Sequence, residues 1–189
     1  MSAAQAARLR AVLLDPVRAR QLEVHGSTTA AVLAPLYVRD GELWAVFIRR
    51  RSDLRLHAGQ ISFPGGRREP GDPDLAHTAL REAREEIGLD PGAVTLVGAL
   101  APTPTLVTDI AVYPVVGLIA RPQAWTPAAD EVEAVIEAPL RALALTHRVE
   151  TIERLGARVS TDAYTIDGER IWGATGRMLT DLLVRLSAA

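Results

Sequence analysis

The chain has 189 residues, 48% of them hydrophobic and 23% charged, a length and composition that suit one domain with a substantial core and exclude overall disorder. A net charge of −2 gives no general attraction to nucleic acid, and the absence of cysteine excludes a disulfide framework, a zinc thiolate site and a cysteine nucleophile. Arginines interrupt the N-terminal apolar run, so no secretory core is evident, and no apolar stretch approaches the roughly 20 residues that span a bilayer. A cytoplasmic protein with neither nucleic acid nor membrane as partner is expected.

In chain order, residues 3–21 read as one helix with leucines and valines on one side, an N-terminal appendage to a single domain covering 1–189. Residues 30–39 and 43–50 are strand-like and flank Asp40-Gly41, a hairpin signal. A basic, irregular stretch from Arg49 to His57 leads to a short strand at 60–63, closed by Pro64-Gly65-Gly66. The next helix is well delimited. Asp72 before Pro73 reads as an N-cap with proline at the first helical position, Leu75, Ala79, Ala83 and Ile87 recur near helical spacing, and Gly88 closes the run with Pro91 behind it. Strands are expected at 94–100, 110–119, 133–136, 148–154 and 164–166, a short helix at 139–145 and a C-terminal helix at 173–186. Strands and helices do not alternate regularly, which favours an α+β arrangement, a mixed sheet flanked by helices, over a doubly wound sheet.

Glu82, Glu85 and Glu86 stand at i, i+3 and i+4 and therefore share one helical face. They occupy the end of the helix, where the macrodipole disfavours each anion by roughly 0.3–1 kcal/mol. Taken alone, Arg81-Glu82-Ala83-Arg84-Glu85-Glu86 describes a solvated face of ion pairs. The turn at Phe63-Pro64-Gly65-Gly66 changes that reading, because backbone without side chains can approach a ligand closely. A glycine turn beside an acidic helix face is a cradle for a divalent cation and a diphosphate.

These residues resemble the Nudix hydrolases. Gly66 opens that family's box, and Arg81-Glu82-Ala83-Arg84-Glu85-Glu86-Ile87-Gly88-Leu89 closes it without mismatch. The middle departs: Asp72 replaces the first glutamate, the spacing to Arg81 is one residue longer, and either Asp72 or Glu69 could act as the middle acid. Upstream, Val46-Phe47-Ile48-Arg49-Arg50-Arg51, Arg55, Gly59 and Phe63-Pro64-Gly65-Gly66 look like the second motif of the coenzyme A pyrophosphatase subgroup, with Ile48 and Arg51 as departures. Asp130-Glu131-Val132, Ala138-Pro139-Leu140 and Ile171-Trp172-Gly173-Ala174-Thr175 extend the likeness to about residue 175.

The resemblance implies a Nudix-like α/β/α sandwich and hydrolysis of coenzyme A or acyl-CoA to 4′-phosphopantetheine, or its acyl derivative, and adenosine 3′,5′-bisphosphate. It implies Mg²⁺, with Mn²⁺ able to substitute, held by Glu82 and Glu86, with Glu85 acting directly or through water and the Gly66 carbonyl completing the shell. Glu82, Glu85 or, outside the box, Glu131 would be the catalytic base, and Arg81 would orient a carboxylate. Arg50 and Arg55, with Gly65, Gly66 and Arg67, would bind substrate; Arg49, Arg51, Arg68 and His57 are further cations nearby. Trp44, Trp125 and Trp172 suit the core better than adenine stacking. The expected partner is a small nucleotide, with a homodimer as an allowed assembly. ADP-ribose, dinucleoside polyphosphates and nucleoside triphosphates are the alternative substrates, and a non-catalytic nucleotide-binding module is the reading from another class.

Overall fold

A computed structural model describes residues 3–54, 57–105, 108–121, 124–154 and 156–188. The expected N-terminal helix is two helices, α1 (Ala3–Val12) and α2 (Pro16–Arg20). Asp15 breaks them apart, its carboxylate accepting from the Val17 and Arg18 amides while Pro16 takes the first helical position. Leu9 and Leu13 are buried, and Leu14 exchanges two backbone hydrogen bonds with Ala99. This segment packs against the strand Val94–Ala99.

Strand β1 (Thr28–Arg39) is buried on both faces through its middle, as its unbroken apolar run requires. Asp40 and Gly41, both at positive φ, turn the chain into β2 (Glu42–Arg50). Two short strands follow, β3 (Ile61–Ser62) and β4 (Gly65–Arg67), and then helix α3 (Leu75–Ile87). Asp74, not Asp72, caps α3: it is extended at φ −151° and accepts from the His77 amide at 2.9 Å. Gly88 closes the helix in the left-handed conformation. Next come β5 (Val94–Ala99), β6 (Thr103–Pro104), β7 (Ile110–Ile119), β8 (Val132–Pro139) and α4 (Leu140–Leu145). The chain ends in β9 (Arg148–Arg154), β10 (Ala157–Ile166), β11 (Glu169–Trp172) and α5 (Gly173–Ser187).

The large sheet runs β3-β2-β1-β7-β5, with β4 also on β1, β6 on β7 and β8 on β2. Only β1–β7 is parallel among its pairs; the others are antiparallel. Side chains of β1 alternate between two cores. Ala31, Leu33 and Tyr37 face Leu75, Ala79, Ala83 and Ile87 of α3. Ala30, Val32, Ala34 and Leu36 face the layer formed by α1, α4, α5 and the small β9–β11 sheet. The fold is therefore a mixed sheet flanked by helices, as the element pattern led us to expect. Among the described residues no helix is long and apolar enough to cross a membrane.

Candidate active site

One edge of β1 is shared by two strands. Ala31 and Val32 pair with Gly66 and Gly65 of β4, whereas residues from Leu36 onward pair with β2. Between them the Leu33 amide donates to the Pro64 carbonyl at 2.8 Å. The fork brings the glycine turn under the last turns of α3. A Cβ on Gly65 would fall 2.4 Å from the Ala31 carbonyl oxygen, and one on Gly66 would fall 2.6 Å from the Glu82 carboxylate. Gly65 is thus required by close approach to backbone, and at Gly66 a side chain would displace the Glu82 carboxylate.

Glu86 is 3% exposed. Its Oε2 accepts from the Gly65 amide at 2.8 Å, and its Oε1 lies 3.3 Å from Nη1 of Arg50. Arg50 also reaches Oε2 of Glu131 at 3.5 Å. Burial pushes the Glu86 carboxyl up to about 8, overriding the Gly65 amide and Arg50, and the charges of Glu82 and Glu131 push the same way. Glu82 is also raised, again chiefly by burial, although Arg81 at 3.0 Å draws it back. Glu82, Glu86 and Glu131 are therefore close enough to feel one another's charge, and Arg50 is a common counter-charge for Glu86 and Glu131.

Glu85 points elsewhere, to Nη1 of Arg81 at 3.0 Å, and is largely exposed. Among the described residues no three acid or imidazole groups converge tightly enough to grip an ion as they stand. The chemistry nevertheless fits a hard divalent cation: all-oxygen donors, a buried carboxylate held short of ionisation, and backbone bared by glycine beside it. Such an ion would draw on Glu82, Glu86 and the Gly66 carbonyl, and Glu85 would act through water on leaving Arg81.

Asp72 lies apart from this group. It is buried, and Arg81 grips it with two prongs, Nε to Oδ1 at 3.1 Å and Nη2 to Oδ2 at 3.2 Å. The Thr78 hydroxyl and the Glu69 amide each donate to Oδ2 at 2.9 Å. Arg81 and these donors hold the Asp72 carboxyl well below the usual carboxylate range despite its burial. Arg81 also donates to the Arg67 carbonyl at 3.1 Å, so it ties the β4 turn to α3. Of the two middle acids, Asp72 is thus Arg81's structural partner; Glu69 is exposed, 3.7 Å from Arg81.

Most other flanking cations already have protein partners. Arg49 pairs with Glu169 and with Glu133, and Arg51 with Asp53 and the Ala129 carbonyl. Arg68 donates to the Asp72 carbonyl, and His57 meets the Gln60 side chain. Arg67 contributes its carbonyl while its side chain is exposed. Arg55 lies outside the described residues. The tryptophans are half-buried: Trp44 stacks on Tyr37, Trp125 donates to Glu137, and Arg170 covers Trp172. Sequence reasoning did not find Glu137, because its partner Tyr37 lies 100 residues away and nothing local marks the pair.

A NUDIX domain model matches residues 27–155. An uncharacterized Nudix hydrolase NudL of Pectobacterium atrosepticum is 38% identical over 166 residues, covering 87% of this chain and 85% of the relative. The protein of the same description from Salmonella paratyphi B is 39% identical over 161 residues, covering 83% and 82%. Among solved structures, a MutT/nudix family protein from Enterococcus faecalis aligns with a TM-score of 0.59 at 12% identity, over 100% of this chain and 70% of that one. The Nudix hydrolase RenU from M. smegmatis aligns with a TM-score of 0.52 at 16% identity, over 65% and 83%. Those two likenesses concern the fold; the match over 27–155 and the NudL relatives carry the family. The glycine turn under a carboxylate-bearing helix end is thus the box of a Nudix hydrolase, and the chain belongs to that family.

Proposed function

We propose that the chain hydrolyses the diphosphate bond of coenzyme A or acyl-CoA, releasing 4′-phosphopantetheine, or its acyl derivative, and adenosine 3′,5′-bisphosphate. The observation that carries this reading is the contact of Glu86 with both Arg50 and Gly65. Those two residues belong to the 46–66 stretch that resembles the coenzyme A pyrophosphatase motif, so the substrate-type motif and the acidic helix meet at one carboxylate. Nudix hydrolases generally use divalent ions, and Mg²⁺, replaceable by Mn²⁺, suits Glu82, Glu86, Glu85 and the Gly66 carbonyl. When bound, the ion neutralises phosphate charge and lowers the pKa of a coordinated water.

The chain's own residues supply the remainder. Gly65 and Arg50 hold Glu86 in one orientation from opposite oxygens. Arg50 is the guanidinium shared by Glu86 and Glu131, one nitrogen to each, and a phosphate oxygen can replace Glu131 as the partner of the second. Glu131, half-exposed, accepts the proton of the attacking water at Oε2 once Arg50 has moved to substrate. The water oxygen forms the new bond to phosphorus and the bridging P–O bond breaks; Glu82 and Glu85 would hold the cation. Arg67 and Arg55 are assigned to the outer phosphates.

Parallel assays with Mg²⁺ on coenzyme A, acetyl-CoA, ADP-ribose, a dinucleoside tetraphosphate and nucleoside triphosphates test the reading. Coenzyme A or its thioester is expected to give the highest kcat/KM, with adenosine 3′,5′-bisphosphate as product. Equal turnover of ADP-ribose would remove the coenzyme A assignment while keeping the chemistry. The compartment proposed with this substrate is the cytoplasm, and light scattering at assay concentration decides between monomer and homodimer.

A further inference from the structure

Glu137 on β8 is a hub outside the acid cluster. Its Oε2 accepts from the Tyr37 hydroxyl at 2.6 Å and from Nε of Arg121 at 2.7 Å, and its Oε1 accepts from Nε1 of Trp125. Tyr37 is buried in the core beneath α3, and Glu137 shares that face with Val46, its partner on β2. Those hydrogen bonds and the Arg121 charge hold Glu137 below its ordinary range although it is largely buried, and burial with Glu137's own charge pushes Tyr37 up to about 12. The hub is a fixed anion taking three donors.

Two of the donors, Arg121 and Trp125, belong to the connection between β7 and β8. Immediately after Trp125 this connection meets the end of α3. The Thr126 amide donates to the Ile87 carbonyl at 3.1 Å and the Ala128 amide to the Glu86 carbonyl at 2.9 Å. These are two of the last carbonyls of the helix, which have no partner inside it. The Ala128 carbonyl then accepts from the Glu131 and Val132 amides at 3.1 and 2.8 Å, and the Ala129 carbonyl from Arg51 at 2.7 Å. Glu131 leaves this knot directly beside Arg50. One short segment therefore caps the turn that carries Glu86 and delivers Glu131, and its upstream end is moored at Glu137.

We propose that Glu137 is a positioning residue for the hydrolytic site, acting through Trp125 and the 124–131 segment to set Glu131 and the Glu86 turn. The inference rests on the acid cluster being the hydrolytic centre, so its test includes an arm independent of turnover. Trp125→Phe removes the mooring donor and keeps a ring; Glu137→Gln replaces an acceptor with an amide that cannot accept from all three donors. Tyr37→Phe removes the donor that comes from the core and leaves the segment's two moorings.

In metal-free protein, hydrogen exchange at Thr126 and Ala128 is expected to accelerate at least tenfold in Trp125→Phe and Glu137→Gln, and to stay near wild type in Tyr37→Phe. With the best substrate, the first two variants are expected to lose at least tenfold in kcat at a KM within twofold of wild type. Tyr37→Phe should lower Tm while keeping kcat within twofold. Wild-type exchange at both amides in Trp125→Phe would overturn the proposal, as would equal kcat losses in Trp125→Phe and Tyr37→Phe. Should the wild-type chain turn over no diphosphate, the function proposed above fails, and the exchange result still decides whether Glu137 moors the segment.

Discussion

Asp72 just before α3 and Glu86 in its last turn are both nearly inaccessible, at 7% and 3% exposure, yet their protonation is pushed in opposite directions. Asp72 has a two-pronged arginine, a hydroxyl and an amide; Glu86 has one amide, one longer arginine contact and two neighbouring acids. Burial alone therefore does not decide a carboxylate's state; the balance of donors and charges does. The first carboxylate is complete within the protein and works as a structural clamp. The second is left short of positive charge, which is what a site awaiting a cation requires.

The contrast yields a graded set of expectations. Glu86→Gln should reduce kcat at least a hundredfold, about 2.7 kcal/mol of barrier. Its Tm in the absence of metal should be unchanged or higher, because a neutral group replaces one that burial already disfavours. Activity within a few-fold of wild type would erase the distinction between the two acids. Asp72→Asn should do the reverse, costing about 3 kcal/mol of stability by breaking a buried pair. Denaturant unfolding measures it, and a loss below 1 kcal/mol would show that Arg81 needs only Glu82 and Glu85.

Gly66→Ala drives a methyl into the Glu82 carboxylate. Its expected effect is a roughly tenfold rise in the Mg²⁺ concentration for half-maximal activity, on the order of the loss from disturbing a ligand's support. Most direct is pH. Glu86 titrates near 4.5 unfolded and about 8 folded, so between those values the native state holds a proton that the unfolded state has lost. Its contribution to stability is full below pH 4.5 and disappears as pH rises through 8. Asp72 works with the opposite sign, contributing above its unfolded pKa and losing that contribution as pH falls through its depressed folded value. Tm against pH in EDTA should therefore slope down from pH 5 to 8 more steeply in wild type than in Glu86→Gln. Saturating Mg²⁺, which requires the ionised form, should flatten the wild-type slope. Identical slopes in both proteins would contradict the burial argument.

Much of this was legible in the sequence wherever the cause is local. The hairpin at Asp40-Gly41, the apolar spacing of Leu75, Ala79, Ala83 and Ile87, and the stop at Gly88 all act within a few residues. The expectation of one helix over 3–21 passes over a local signal, Asp15 before Pro16, where the aspartate caps a second helix. At 72–74 the local signal was ambiguous, since two aspartates stand two residues apart. Arg81, nine positions on, recruits Asp72 and leaves the cap to Asp74. The two-residue β6 and the hub at Glu137 depend on strand pairing and on contacts across 100 residues, which no window of sequence contains. Of the site, the acids and glycines were visible as types at a spacing. That Arg49 is engaged by Glu169 and Glu133, while Arg50 joins the acids, depends on the tertiary fold.

The parallel pairing of β1 with β7 has a kinetic consequence. Gly65 and Arg50 meet Glu86 across 21 and 36 residues, but Arg50 meets Glu131 across 81, and only after β7 has crossed back to lie beside β1. Closing the longest of these loops costs about 1.2 kcal/mol more than closing the shortest. A refolding chain should therefore assemble the glycine turn and helix first and receive Glu131 last. Time-resolved refolding would then show native α3 protection before catalytic competence.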